Sequence, residues 1–150
     1  MIIRNAKIED SHDIFEWRND HLSFSMSVSG KKVSLQEHNE WFIDSLKNPD
    51  KELYIGFVDE QKIGICRFEF DKTTKTSEVS INLNPIFRGK NLSFQFLNQS
   101  INSFRKKNNF ELKATVKKSN IASIKIFEKN GFVKINSNKE LIFYSNNVST

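Results

Sequence analysis

The sequence has 150 residues and carries 23 Lys+Arg against 18 Asp+Glu, a formal net charge of +5. A hydrophobic fraction of 37% with 14 Phe is sufficient for one core, which excludes a wholly disordered chain. No apolar run reaches the ~20 residues that a membrane-spanning helix needs. Because a chain of this length usually holds a single hydrophobic core, we expect one domain over residues 1–150.

The first elements are predicted to be a strand and a helix followed by a loop. Ile2-Ile3 opens as a short strand, and Asp10 or Ser11 can cap the helix. The polar stretch from Leu22 to Lys32 is typical of a loop. The apolar residues of this first helix are Ile14, Phe15 and Trp17.

A second helix follows the capping box Ser34-Leu35-Gln36-Glu37, in which Ser and Glu each satisfy the other's amide. It should end before Pro49, because the residue preceding a proline avoids helical geometry. Apolar residues recur on it at three- and four-residue spacing, which predicts a buried face. That face comprises Leu35, His38, Phe42 and Leu46, with Trp41 alongside.

Three strands come next. Glu52 to Asp59 and Lys62 to Phe70 flank a short polar turn at Asp59-Glu60, which predicts a hairpin. Thr76 to Asn84 alternates between apolar and polar residues, so one face is expected to be buried. Its inward residues are Val79, Ile81 and Leu83, and its outward residues are Glu78, Ser80, Asn82 and Asn84.

The rest of the chain alternates helices and strands. A long helix after Pro85 is expected to bury one stripe, Glu111 to Val116 forms a strand, and Ser119-Asn120 caps a helix that ends at Asn130-Gly131. The residues of the buried stripe are Phe94, Leu97, Ile101 and Phe104. Phe132 to Ile135 and Leu141 to Tyr144 form a last hairpin, and residues 145–150 are expected to be a frayed tail.

The strand-to-helix junction Arg88-Gly89-Lys90-Asn91-Leu92-Ser93 suits a pyrophosphate, because backbone N–H groups and the helix dipole attract anions there. Together with Asn120-Ile121-Ala122-Ser123-Ile124-Lys125-Ile126-Phe127-Glu128-Lys129-Asn130-Gly131-Phe132, it resembles the GNAT family of acetyl-CoA-dependent N-acetyltransferases. The resemblance implies a GNAT-like α/β fold over nearly the whole chain. We expect a mixed, mostly antiparallel sheet of about seven strands and about four helices, in the order β-α-α-β-β-β-α-β-α-β-β.

The resemblance also implies acetyl-CoA as co-substrate. Pantetheine would bond the main chain of the fourth strand, where an N–H near Ile81 would stabilise the thioester oxyanion. The residues expected at the cofactor are Ile81, Asn82, Leu83, Arg88, Gly89, Lys90, Asn91, Leu92, Ser93, Asn120, Ser123 and Phe127. Asn120 is equally consistent with a helix N-cap alone.

Two features depart from the family's pattern. Its Arg/Gln-x-x-Gly-x-Gly/Ala motif here reads Arg88-x-x-Asn91-x-Ser93. Asparagine is the residue other than glycine that best holds a left-handed backbone, so we expect Asn91 to keep the shape of the loop. Phe127 stands where many relatives have a Tyr that protonates the leaving thiolate. Another group or water then donates the proton, or the thiolate leaves unaided.

Amine acetylation needs a base, because the incoming ammonium must lose a proton. Glu78 on the polar face of the fourth strand is the first choice, directly or through a water, and His38 is the second. The alternative interpretations are a surface carboxylate that balances Lys and a buried core histidine. No spacing of His, Asp and Glu indicates a metal site.

The acceptor is expected to contact the first two helices and the loop between them, together with Arg67. This region resembles the GNAT enzymes that acetylate amino groups on nucleotide-linked sugars, such as those of pseudaminic acid-type pathways. The residues carried over are Trp17, Arg18, Asn19, His38, Trp41 and Arg67, whose aromatic rings would stack on a base or sugar while Arg binds a diphosphate. The alternative is that Trp17, Trp41 and Phe42 are core residues and Arg18 pairs with Asp20.

The sequence thus predicts a cytoplasmic enzyme that acts on a small-molecule amine, as a monomer or homodimer. The lone Cys66 and the absence of a signal-peptide pattern at Met1-Ile2-Ile3-Arg4 underlie the cytoplasmic expectation. No nucleic-acid or membrane partner is expected, since the basic residues are spread and only Arg105-Lys106-Lys107 clusters. The alternatives are a ribosomal or other protein N-terminal acetyltransferase and a non-catalytic CoA-binding module.

Overall fold

A seven-stranded sheet runs through the protein, and the computed structural model describes residues 1–147. The strands are β1 (Ile2–Asn5), β2 (Lys51–Val58), β3 (Gln61–Asp71), β4 (Thr76–Leu83), β5 (Glu111–Lys117), β6 (Val133–Ser137) and β7 (Leu141–Asn146). Their order in the sheet is β1-β2-β3-β4-β5-β7-β6, and every neighbouring pair is antiparallel except β4 with β5. The expected mixed, mostly antiparallel sheet is confirmed.

Five α-helices flank this sheet. They are α1 (Ser11–Arg18), α2 (His21–Met26), α3 (Leu35–Lys47), α4 (Ser93–Arg105) and α5 (Ile121–Lys129). The Ser34–Glu37 capping box is present, and Asn120 Oδ1 accepts from Ser123 N at the start of α5. Within residues 1–147, no helix has both the length and the apolar character required to cross a bilayer.

Two hydrophobic clusters fill the two faces of the sheet. One joins α1 and α3 to β2 and β3, and the other joins α4 and α5 to β3, β4, β5 and β7. The alternation predicted for β4 is confirmed in that Val79 is buried and Glu78 is exposed, while Ile81 and Leu83 pack against the second cluster. One face of β4 therefore packs into the core, and the other face presents Glu78 at the surface.

Several predicted details are wrong. The loop expected from Leu22 to Lys32 contains α2, which raises the number of helices from four to five. The Asp10 side chain does not cap α1 but pairs with Arg4 and Lys62, which stabilise its buried carboxylate. The expected tail begins too early, because Ser145 and Asn146 pair within the sheet, whereas residues 148–150 lie outside the described residues.

The buried faces of two helices also differ from the predictions. On α3, His38 and Phe42 are buried, but Leu35 and Leu46 are exposed because the helix packs on the sheet over a narrower stripe. On α4, Phe94 is 41% exposed and Phe96 is fully buried in its place. Phe96 packs against the glycines of β2 and β3, where no larger side chain separates helix from sheet.

The parallel pair of β4 and β5 diverges along its length. The two strands pair at Thr76–Glu111, Ser77–Leu112 and Glu78–Lys113. Beyond these pairs, residues 79–83 and 114–117 have no partner across the gap among residues 1–147. The sheet therefore opens into a wedge that leaves backbone N–H and C=O groups available on the inner edge of β4.

Candidate active site

Two adjacent cavities border the wedge between β4 and β5. The larger cavity has a volume of about 500 Å³ and the smaller cavity about 420 Å³. The larger lies toward α1 and α3, and the smaller lies toward the start of α4. The residues that line both are Met26, Ile81, Asn82, Asn120 and Ser123. A ligand in either cavity thus contacts the open end of β4.

The loop from Arg88 to Ser93 borders the smaller cavity. Gly89 and Asn91 have φ angles of +74° and +58°, so the prediction that Asn91 keeps a left-handed backbone is confirmed. Leu92 is the N-cap of α4, and its side chain accepts no hydrogen bond from the helix. Side chains therefore do not occupy the first N–H groups of α4, which is the condition for binding an anion there.

Arg88 is held by the segment that precedes α2. Its Nη2 forms an ion pair with Asp20 Oδ2 and donates to Ser23 Oγ at 2.8 Å. Asp20 is also the N-cap of α2, where its carboxylate accepts from Ser23 N at 3.3 Å. The hydrogen bond from Arg88 lowers the pKa of Asp20, so the pair stays ionised at neutral pH.

Two arginines in the larger cavity have no carboxylate partner. Among residues 1–147, neither Arg18 nor Arg67 takes part in a salt bridge within 4.0 Å. Burial lowers the pKa of both. For Arg67, the charge of Glu69 opposes this fall and the charge of Arg18 adds to it. Arg18 Nη1 is buried without a hydrogen-bond partner. The arrangement favours an anionic ligand, because an anion would compensate both charges.

Aromatic rings surround this pair of arginines. The guanidinium of Arg67 lies 5.1 Å from the centroid of the Trp41 ring, and its Nε donates to Ser80 Oγ at 2.9 Å. His38 stacks on Phe42 with ring centroids 5.7 Å apart, and its Nε2 is 3.0 Å from Ser11 Oγ. Burial lowers the pKa of His38, so its imidazole is neutral at pH 7. His38 is thus both a core residue and part of the cavity wall.

A family model described as "Acetyltransferase (GNAT) domain" matches residues 1–133. The chain belongs to the GNAT family. It is therefore an N-acetyltransferase that uses acetyl-CoA as co-substrate, as the sequence predicted. Acetyltransferase PseH of Campylobacter jejuni is 29% identical over 136 residues, which span 87% of this chain and 81% of the relative.

Solved structures share the GNAT fold of this chain. C. jejuni N-acetyltransferase PseH in complex with acetyl coenzyme A superimposes with a TM-score of 0.74 at 23% identity, covering 99% of this chain and 100% of that one. Spermidine N-acetyltransferase from Vibrio cholerae in complex with CoA and spermine gives 0.83 at 17% identity, covering 96% and 92%. At these identities the comparisons show the fold and leave the acceptor open.

Glu78 lies where the wedge begins. It forms the last pair between β4 and β5, with Lys113, and on its other side it pairs with Glu69 of β3. Partial burial of its carboxyl group and the charge of Glu69 raise its pKa, and Lys113 opposes this rise. Glu78 does not line either cavity of this GNAT enzyme.

Several predicted site residues lie away from the cavity walls. Trp17 is 5% exposed in the core, and both polar atoms of the Asn19 amide bond the Val33 backbone at 2.8 Å. These contacts explain both residues structurally, because they fix α1 and the chain before α3. Lys90, Asn91 and Leu92 belong to the loop from Arg88 to Ser93 but line neither cavity. The alternative pairing of Arg18 with Asp20 is wrong, since Asp20 pairs with Arg88.

The remaining predicted cofactor residues occupy the walls. Leu83 and Ser93 line the smaller cavity, and Phe127, 3% exposed, lines the larger one. Asn120 caps α5 and also lines both cavities, so its role as an N-cap does not remove it from the candidate site. No group of three or more His, Cys, Asp or Glu side chains within residues 1–147 is arranged to hold a metal ion.

The sequence interpretation expected the loop between the first two predicted helices at the acceptor but named none of the residues from Met26 to Ser29, which form one wall of the larger cavity. A signal was present, because Asp20 is a favourable N-cap for a short helix. It also missed Glu37, the single acidic side chain in the wall of the larger cavity as described over residues 1–147. Glu37 Oε1 accepts from Ser34 N at 3.3 Å within the capping box. The wall thus carries two positive charges against one negative.

Proposed function

We propose that this enzyme transfers the acetyl group of acetyl-CoA to the amine of a nucleotide-linked amino sugar, by direct transfer in a ternary complex. The observation that carries the proposal is the pair of arginines, Arg18 and Arg67, whose charges lack a carboxylate partner in the larger cavity. A nucleoside diphosphate supplies an anion for both guanidinium groups, and Trp41 offers a face on which a base or sugar ring stacks. The sequence resemblance to amino-sugar-nucleotide acetyltransferases supports the same acceptor.

The cofactor occupies the smaller cavity in this proposal. Its diphosphate meets Arg88 and the first N–H groups of α4, and its pantetheine arm bonds the open edge of β4 at Ile81 to Leu83. The thioester then lies where the two cavities share a wall, beside Asn82 and Ser123. The acceptor amine enters this point from the larger cavity.

The reaction is one addition and one elimination. A base removes one proton from the ammonium, and the neutral amine attacks the thioester carbon to form the C–N bond. The C–S bond then breaks, and the nitrogen loses its second proton to water. Glu78, through a water, is the proposed base and the neutral imidazole of His38 is the second choice. Phe127 donates no proton, and the CoA thiolate leaves as an anion because a thiol pKa of about 8.5 makes it a fair leaving group.

The charge of the larger cavity argues against the other acceptors. A polyamine such as spermine is a polycation, which two arginines repel. A peptide N-terminus also carries a positive charge and would favour an acidic groove. The discriminating experiment measures thiol release from acetyl-CoA with a nucleoside diphosphate amino sugar, the same sugar without its nucleotide, spermidine and a peptide. We expect preference for the first, and faster turnover of spermidine or the peptide would overturn the proposal.

Replacing Arg88 by alanine is expected to weaken the binding of CoA by about 1–3 kcal/mol, because the diphosphate loses charge-assisted hydrogen bonds. Calorimetry with the purified variant measures the dissociation constant. Lys90→Ala is the matched control, since it removes a positive charge from the same loop at a side chain outside the cavity wall. A dissociation constant unchanged in Arg88→Ala would place the diphosphate elsewhere.

The pH profile of kcat/KM tests Glu78 as the base. The base works as a carboxylate, so the rate rises as the pH increases through its pKa. Glu69→Gln removes the like charge that raises this pKa and should move the acid limb to lower pH. Lys113→Gln removes the opposing cation and should move the limb to higher pH. If neither variant shifts the limb, Glu78 is not the base.

A further inference from the structure

The chain from Asp20 to Gly30, called here the cover segment, forms a wall common to both cavities. It contains α2, none of whose residues is buried. Leu22, Ser23 and Met26 line the smaller cavity, and residues 26–29 line the larger one. Because no side chain of α2 is buried, hydrophobic packing contributes little to holding the cover segment in place.

Polar contacts hold the cover segment at both edges of the wedge. On the β4 side, Arg88 binds Asp20 and Ser23. On the β5 side, Lys117 Nζ donates to Ser25 O at 3.0 Å. The first of these contacts uses the guanidinium that the proposed function assigns to the cofactor diphosphate.

We propose that Asp20 is an internal counter-ion that competes with the cofactor diphosphate for Arg88, and thereby couples acetyl-CoA binding to the position of the cover segment. The proposal rests on the diphosphate lying at Arg88, as in the proposed function. It goes beyond that function because Asp20 then links the cofactor to the wall of the acceptor cavity. Asp20 is a positioning residue, since it acts through Arg88.

The energies allow this exchange. The side chains of Arg88 and Asp20 are 32% and 28% exposed, and exposed ion pairs contribute little to stability. A diphosphate carries more charge than one carboxylate and gains the N–H groups of α4 as well. Two anions on one guanidinium repel each other, so a bound diphosphate weakens the hold of Asp20. The cover segment then keeps its contact with Lys117 on the β5 side and the weaker contact in which Arg18 Nη2 donates to Ser29 Oγ at 3.4 Å.

The order of binding follows from this competition. Cofactor binding loosens the wall formed by Met26 to Ser29, which widens the larger cavity for the acceptor. The acceptor is therefore expected to bind after acetyl-CoA. A fixed cover segment would leave the two binding events independent.

Asp20→Asn is the decisive variant, because asparagine keeps the N-cap of α2 while removing the charge. Calorimetry is expected to show CoA binding about two- to fivefold tighter, the range set by the weak coupling of exposed ion pairs. Asp44→Asn is the control of equal charge change, at an exposed position of α3 outside both cavities. Binding by Asp20→Asn no tighter than by Asp44→Asn would overturn the proposal.

Amide hydrogen exchange supplies a readout that a purely structural role would not move. In the unaltered protein, CoA is expected to raise exchange across α2 by several-fold, whereas in Asp20→Asn exchange is already raised and CoA adds nothing. Exchange in α2 that CoA leaves unchanged would contradict the coupling.

Arg88→Ala separates the two proposals. If it binds CoA normally, the diphosphate placement fails; if it binds weakly while Asp20→Asn gains nothing, the coupling alone fails.

Discussion

Replacing Arg67 by methionine is expected to stabilise the protein while removing most of its activity toward an anionic acceptor. The guanidinium is desolvated beside Arg18 with no salt bridge among residues 1–147, and we expect this cost to exceed the gain from its hydrogen bond to Ser80 Oγ and its contact with the Trp41 ring; an apolar chain of similar volume does not carry that cost. We expect a rise in Tm of about 2–4 °C, equivalent to about 1 kcal/mol. The same change should lower kcat/KM for a nucleoside diphosphate amino sugar by about 10- to 100-fold.

Arg105 offers the matched control for this result. Burial also lowers the pKa of Arg105. Its Nη2, however, donates to Asn146 O at 3.1 Å, and Arg105 lines neither cavity. Arg105→Met should therefore lower Tm, through loss of this hydrogen bond, and leave kcat/KM unchanged. Full activity of Arg67→Met would show that the acceptor anion does not meet Arg67.

The second large effect is expected from Gly64→Ala, which should destabilise the fold by about 3 kcal/mol and abolish tight CoA binding. A Cβ at Gly64 would lie 2.6 Å from Asn82 O and 3.1 Å from Leu83 Cα. These are backbone atoms of β4, so they yield only if the strand moves. The strand that moves is the one to which the pantetheine arm is proposed to bond.

Gly56→Ala separates stability from binding. Its added Cβ would lie 2.7 Å from Cε1 of the fully buried Phe96, so this variant also loses stability. The strain there falls on a side chain of α4, and β4 keeps its place. Urea unfolding measures the first effect, and calorimetry with CoA at low temperature measures the second. Equal CoA affinity in the two variants would contradict the role assigned to the β4 edge.

Local signals explain why much of the fold was predicted. The capping box at Ser34, the N-cap at Asn120 and the stop at Gly131 depend on hydrogen bonds within a few residues, and all three are present. The turn residues Asp59 and Glu60 have φ angles of +49° and +64°, and this tight turn joins β2 and β3 in the predicted hairpin. The left-handed Asn91 is a local property of the same kind.

Long-range pairing explains what the sequence did not reveal. The short α2 has no buried face, so no periodicity marks it, and contacts with Arg88 and Lys117 position it. Arg88 and Asp20 are 68 positions apart. Arg18 lies on α1 and Arg67 on β3, and only the packing of α1 on the sheet brings them into one cavity. The sequence identified these arginines as site residues through resemblance. Only the three-dimensional structure shows that neither forms a salt bridge among residues 1–147.

The wedge between β4 and β5 has a consequence for how this protein can change over evolution. A ligand that completes the ladder at residues 79–83 is recognised by peptide groups, which every residue type except proline supplies in full. Substitution of neighbouring side chains then leaves these main-chain contacts intact. In the proposed function the acceptor instead contacts side chains such as Arg67 and Trp41, so acceptor choice can diverge while use of the thioester persists.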